Sequence, residues 1–328
     1  MFGLLSLLAG AAGLIPPTDS ITWTDRLPDS LQTTQTPEQQ LVSWMPGPVR
    51  CDDGAEVRVI EGRRPYNTLW NGRVTPPSEM AFEFAIDPTG RPLSIARSSP
   101  PAYAQGTAGP ALAASRFEAG AIRTGCSITY QPVMRPVDEA EPVELASYWM
   151  TNQTPRLPRE AFERLHAGDE CRPGTQPLMR AYPNFDEIPA TRGVRDWTMI
   201  RFDVTASGET TNVRHLYGTA NEALAEASVE AVANSRFSKG TLRRNCSYPY
   251  WRNAAVLPAP PAPPRSPDWT DRCKALEWDR APQRNYPTAY SARSIEGWAD
   301  IAFDVATWGE IGNVRVLRAQ PTDDFGEA

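Results

Sequence analysis

The sequence predicts an α+β fold of tandem ββαβ units, each a small antiparallel sheet packed on one helix, with a third unit cut short. Three observations carry this. Gly90, Gly208 and Gly309 are each preceded, at eight, six and four residues, by large apolar side chains: Phe82, Phe84, Ile86; Ile200, Phe202, Val204; and Ile301, Phe303, Val305. A period of two marks a strand with one buried face. The tripeptide Ser-Arg-Phe occurs at 115–117 and again at 235–237, each time after a helical pattern. Finally, Cys51 and Cys126 are 75 residues apart, as are Cys171 and Cys246, and the second pair follows the first by 120.

Taken in order, the chain opens with an apolar run from Phe2 to Ile15 that ends at Pro16-Pro17. Fourteen residues suit the apolar core of an export signal and fall short of a spanning helix of about 20. Residues 1–17 are therefore expected to be a signal peptide or a weak inner-membrane anchor through 2–15. Unit one spans 40–135. Its strand before Gly90 turns at Asp87-Pro88-Thr89-Gly90, and a second strand starts near Ile95. A weak helix follows from Ala108 to Ala114, then a third extended segment opening at Cys126. Residues 136–158 carry Asp138, Glu139, Glu141 and Glu144 and read as a solvated tether, with room for a short helix at Leu145 to Met150.

Unit two, 159–254, has the stronger helix: Thr219 and Glu222 have capping-box spacing, and Leu224, Ala227, Ala231 and Val232 share a face. Its third segment opens at Cys246. The proline-rich stretch 255–268 reads as a stiff polyproline spacer holding units two and three apart. Unit three, 269–328, reaches only its hairpin, whose uncovered apolar face predicts a loosely ordered tail.

Composition excludes several function classes. The 328 residues are 41% hydrophobic and 22% charged, as in globular proteins, and 33 prolines are about twice the usual share. A net charge of -6 argues against bulk nucleic acid as a partner. Two histidines and no CxxC motif leave nothing for a His/Cys zinc or redox centre. With no phosphate-binding loop, dinucleotide fingerprint or nucleophile elbow, no catalytic, metal or cofactor residue is expected. Four cysteines allow three pairings, and repeat symmetry selects Cys51 with Cys126 and Cys171 with Cys246. Each such bridge would contribute about 4 kcal/mol by closing a long loop. Cys273 is left without a partner and could join two copies of the protein.

Unit three reads Tyr286-Pro287, Glu296-Gly297, Ile301-Ala302-Phe303-Asp304-Val305, Gly309-Glu310-Ile311 and Asn313-Val314-Arg315-Val316-Leu317. This run resembles the C-terminal domain of TonB, the energy transducer of Gram-negative envelopes. Unit two repeats it as Tyr182-Pro183, Phe202-Asp203-Val204, Gly208 and Asn212-Val213; unit one is more divergent, with Pro65-Tyr66 inverted and Phe84-Ala85-Ile86. The resemblance implies a periplasmic protein-binding domain, part of TonB-dependent transport across the envelope. Its third-strand edge would pair with an extended peptide of an outer-membrane receptor. The partner-binding residues it implies are Ser127, Ile128, Thr129 and Tyr130 in unit one and Ser247, Tyr248 and Tyr250 in unit two, with Pro249 making unit two the poorer edge. The alternative is an exported adaptor of the envelope without energy transduction, since residues 1–17 hold no histidine and no long spacer precedes unit one.

The remaining polar residues have plainer readings. His215 is expected in a strand and His166 on the surface. Asp203 and Asp304 alternate with core residues and should face solvent or a strand neighbour. Arg63-Arg64 and Arg243-Arg244 read as solvated loop pairs, and Tyr182-Pro183 and Tyr286-Pro287 as packing where the chain enters its sheet.

Overall fold

Each glycine that anchors the repeat register adopts a positive φ, +82° at Gly90, +88° at Gly208 and +93° at Gly309, and each closes a hairpin. The computed structural model describes residues 39–99, 105–152, 156–172, 175–264, 277–280, 282–283 and 285–327. The export segment and Cys273 lie outside the described residues.

The first region contains β1 (Gln40–Pro46), β2 (Val59–Glu61), β3 (Thr68–Trp70), β4 (Met80–Ile86), β5 (Pro92–Arg97), α1 (Ala108–Ala114), β6 (Arg116–Phe117) and β7 (Arg123–Pro136). The helices α2 (Pro142–Thr151) and α3 (Arg159–Leu165) lead to β8 (Pro177–Met179), β9 (Asp196–Val204), β10 (Thr210–Gly218), α4 (Glu222–Asn234), β11 (Arg236–Phe237) and β12 (Arg243–Arg252). The last region has α5 (Thr288–Ser291), β13 (Trp298–Val305), β14 (Ile311–Gln320) and α6 (Asp324–Glu327). The fold is thus α+β with mostly antiparallel sheets. Its largest sheet is a curled five-stranded half-barrel of order β3-β1-β7-β4-β5.

Units one and two are built alike. In each, the first hairpin strand is central, flanked by the second and third strands: β5-β4-β7 and β10-β9-β12. The Ser-Arg-Phe tripeptide locks helix to hairpin in the same way twice. Ser115 and Ser235 each donate from Oγ to the carbonyl four residues back, at 2.9 Å. The arginines that follow, Arg116 and Arg236, donate to the last helical carbonyls, where positive charge is favoured. Phe117 stacks on Phe84 and Phe237 on Phe202, both with centroids 5.5 Å apart.

The repeated Asp and Asn have a structural reason. Four residues after each turn glycine stands a residue in left-handed conformation, Ser94, Asn212 or Asn313, with φ of 51°, 50° and 50°. Asparagine tolerates that region best among ordinary residues. The Asn212 side-chain amide donates to Asp203 at 2.7 Å and that of Asn313 to Asp304 at 2.7 Å. Asp203 also accepts from the Asn245 amide, and the Asn212 bond leads the causes that hold its carboxyl below the ordinary value near 3.8.

Three expectations need correction. The α4 N-cap is Asn221, whose side chain accepts from the Leu224 amide at 3.0 Å; Thr219 instead binds the Trp197 amide and Asp196. The tether is packed structure: Leu145, Ala146 and Met150 of α2 bury against Leu41, Leu165 and Trp197. Asp138, Glu139 and Glu141 precede the helix and only Glu144 lies in it, while Leu145, Ala146 and Met150 share its buried face, so composition alone misread it. Nor does the proline stretch begin as a free spacer, because Leu257 exchanges backbone bonds with Ser294 and Glu296 at 2.8 and 2.9 Å and is buried with Tyr290 and Ile295 in the core of unit one.

Candidate peptide-binding edges

Strand addition needs a row of unpaired backbone groups along a sheet edge. In unit one the edge expected at Ser127–Tyr130 is already occupied. Tyr130 pairs with Pro46 of β1, the Gly47 amide donates to the Thr129 carbonyl at 2.8 Å, and Ser127 and Arg50 exchange both backbone bonds. Side chains alternate as expected, Ile128 and Tyr130 inward, but the partner strand is the protein's own residues 40–50. The hydrophobic pattern of β1, with Leu41, Val42 and Trp44 buried, was the signal that a strand precedes the repeat.

In unit two, β12 is a sheet edge blunted by side chains. The Ser247 amide points away from β9 and donates to Asp169 Oδ2 at 3.1 Å; Ser247 Oγ donates to the same oxygen at 2.8 Å. Two residues on, Pro249 faces the same side without an amide, which leaves Trp251 as the donor along Ser247–Trp251. Tyr248 and Tyr250 pack edge to face at 5.0 Å, with the Arg180 guanidinium 4.1 Å over the Tyr248 ring and Tyr250 Oη donating to the Ala181 carbonyl.

His166 is buried beneath this edge, contrary to its expected surface position. Its Nδ1 lies 3.1 Å from Ser247 Oγ and 3.8 Å from Asp169 Oδ2, and Phe162 and Trp149 pack on its ring. Burial, with the charge of Arg172 beside it, pushes its pKa down to about 4, so the ring is neutral. Since the Ser247 hydroxyl donates to Asp169, it accepts from His166 Nδ1. A nucleophilic relay needs serine and carboxylate on opposite ring nitrogens. Here both sit at Nδ1 while Nε2 is unpartnered, so the three residues form a buried polar clamp on the strand. The signal the sequence held was Asp169, one residue after a left-handed Gly168 and two before Cys171. Asp169 also lies within 4.8 Å of the Cys171 and Cys246 sulfurs, but these are joined to each other and offer no thiolate to a metal.

Both expected disulfides are present, Cys51–Cys126 and Cys171–Cys246. They suggest an extracellular or periplasmic protein. Among the described residues no helix is long and apolar enough to cross a membrane.

Among the described residues, the edge that takes a third strand in the other two units is open in the third region. Among the described residues β13 pairs with β14 alone, so the side that in β4 and β9 receives a third strand has no described strand beside it over Trp298–Val305. Around it Ile301, Val305, Val314 and Val316 are exposed, and the turn presents Trp308 at 74% exposure. The base of this hairpin is anchored rather than loose. The Ile95 amide of β5 donates to the Pro321 carbonyl at 2.9 Å, and Tyr290, buried in the core of unit one, packs on Phe325. The expected loose tail is therefore wrong at its base, because the free edge of β5 supplies a docking ladder that the repeat pattern did not reveal.

No protein-family model matches the sequence, and no curated protein matches it either.

Proposed function

We propose that this is an exported protein-binding protein of the cell envelope, similar in its repeat unit to the TonB C-terminal domain, which takes an extended segment of a partner protein by strand addition. The observation that carries this is the β13 edge, unpaired among the described residues, beside exposed Ile301, Val305, Val314 and Val316. In both complete units the equivalent edge receives a strand, so the geometry of the bound state is built into the protein twice. An incoming antiparallel strand gains main-chain bonds from the edge, and its alternate side chains cover the apolar face. The partner of the TonB resemblance, an outer-membrane receptor peptide, fits this mode at β13 better than at Ser127–Tyr130 or Ser247–Trp251. The two disulfides support work in an oxidising compartment.

The test is a synthetic peptide with the sequence of residues 219–252, Cys246 replaced by serine, offered to the disulfide-bonded protein and followed by fluorescence anisotropy. By equivalence with Ile200, Ile301 directs its amide outward, and Ile301→Pro removes that donor. Saturable binding lost in Ile301→Pro is expected. No binding at millimolar peptide, or equal binding by the variant, would overturn the reading.

A further inference from the structure

A cleft of about 390 Å³ lies where the three units meet, between β1, the loop before β3, α2 and the start of β9. Five arginines line it, Arg63, Arg64, Arg135, Arg195 and Arg293, against a single carboxylate, Glu144. In a protein of net charge -6 this is a strong local excess of positive charge. Arg135 is paired with Glu144 at 3.4 Å and Arg63 with Glu61 at 2.7 Å. Among the described residues no ion pair involves Arg64, Arg195 or Arg293. Asp196, next to Arg195, is spent on Thr191, Thr219 and Asn221.

Arg293 is the most deeply buried of the five. It is 2% exposed, its guanidinium sits 4.1 Å over the Tyr66 ring, and its two terminal nitrogens donate to the carbonyls of Gly193 and Arg64 at 3.1 and 2.7 Å. Its Nε has no partner. Four more buried donors on residues lining the cleft are also unpartnered: Trp44 Nε1, Arg63 Nε, Tyr66 Oη and Arg195 Nε. Buried donors without acceptors are costly and uncommon, and a buried cation without an anion more so. Burial correspondingly pushes Arg293 below its ordinary value. Surplus donors around a cavity ask for a ligand made of acceptors. Trp44, Met45, Trp197 and Val143 add apolar walls.

We propose that this cleft binds a small organic carboxylate, its carboxyl group held by the guanidinium groups of Arg64 and Arg195, which no carboxylate pairs among the described residues, and its apolar body against the tryptophans. Planar guanidinium groups match a carboxylate through paired parallel bonds. The volume falls in the lower range of ligand cavities, about 300–1,000 Å³, and suits a compact molecule or the last residues of a peptide.

The test is isothermal titration calorimetry on the disulfide-bonded protein with four probes: N-acetyl-Val-Phe with a free carboxylate, its amide, 3-phenylpropionate and inorganic phosphate. The free peptide acid should bind at least about tenfold more tightly than the amide, as loss of a charge-assisted pair implies. Replacing the partly exposed Arg195 (Arg195→Gln) should weaken the acid about tenfold without changing the far-ultraviolet spectrum. Binding of 3-phenylpropionate as tight as the peptide acid assigns a free organic acid; binding of the peptide acid alone assigns the carboxyl terminus of a polypeptide. Equal affinity of acid and amide, absence of binding, tight binding of phosphate alone, or an unaffected Arg195→Gln variant would each overturn the proposal.

Discussion

The hairpins β9–β10 and β13–β14 share a sequence pattern and differ in what covers them. Ile200, Phe202 and Val204 are 0%, 4% and 1% exposed, whereas Ile301 and Val305, at the same positions, are each 40% exposed. Both hairpins turn at a glycine of positive φ, carry a left-handed asparagine and close an Asn–Asp bond of 2.7 Å. Local sequence therefore suffices to shape the hairpin; in unit two burial comes from α4 and β12. The turn glycines show this most simply. A Cβ at Gly208 would lie 2.1 Å from the Phe237 carbonyl oxygen, while one at Gly309 would meet nothing within 4 Å among the described residues.

The largest expected contrast is at the phenylalanines. Phe202→Ala should cost about 3–5 kcal/mol in chemical denaturation, as for a buried aromatic, and Phe303→Ala, at a ring half-buried against Trp278, about 1–2 kcal/mol. Equal costs would mean that the third hairpin is covered in solution. Next come the glycines. Gly208→Ala should cost about 3 kcal/mol or more, from backbone strain plus the clash with Phe237, and Gly309→Ala about 1–2 kcal/mol from strain alone. Thermal unfolding of the two variants side by side measures the difference.

A smaller effect concerns pH. His166 is held neutral, with its folded value lowered to about 4 from an ordinary 6.5. The unfolded state therefore binds its proton first, and stability falls as pH drops from about 6.5 towards 4. His166→Phe should flatten that part of the unfolding profile; an unchanged slope would show that the ring is accessible. Asp203 acts lower on the scale. Its folded value is depressed, so its contribution is full well above the ordinary value of 3.8 and fades as pH falls through and below it, a fade that Asp203→Asn should abolish.

The repeat hairpins, the helices α1 and α4 and the cysteine pairs were legible because each rests on local pattern: alternation before Gly90, Gly208 and Gly309, helical spacing before Ser-Arg-Phe, and symmetric Cys spacing. What was not legible is tertiary. That β1 would cover the β7 edge depends on pairing across more than 80 residues, and nothing in Ser127–Tyr130 says which side is taken. His166 looked solvated because its neighbours in sequence are polar, yet Ser247, 81 residues away, buries it. Arg63-Arg64 read as a loop pair because Arg195 and Arg293, which join it in one cleft, come from other units.

Amide hydrogen exchange across β9 and β13 tests the central claim most directly, that the third region is a complete hairpin with an open edge awaiting a strand. By equivalence with Thr198, Ile200 and Phe202, the outward amides of β13 are those of Ala299, Ile301 and Phe303. They should exchange rapidly in the free protein while their β9 counterparts stay protected, and become protected when the 219–252 peptide is added. Protection of Ala299, Ile301 and Phe303 already in the free protein, or no change at saturating peptide, would contradict it.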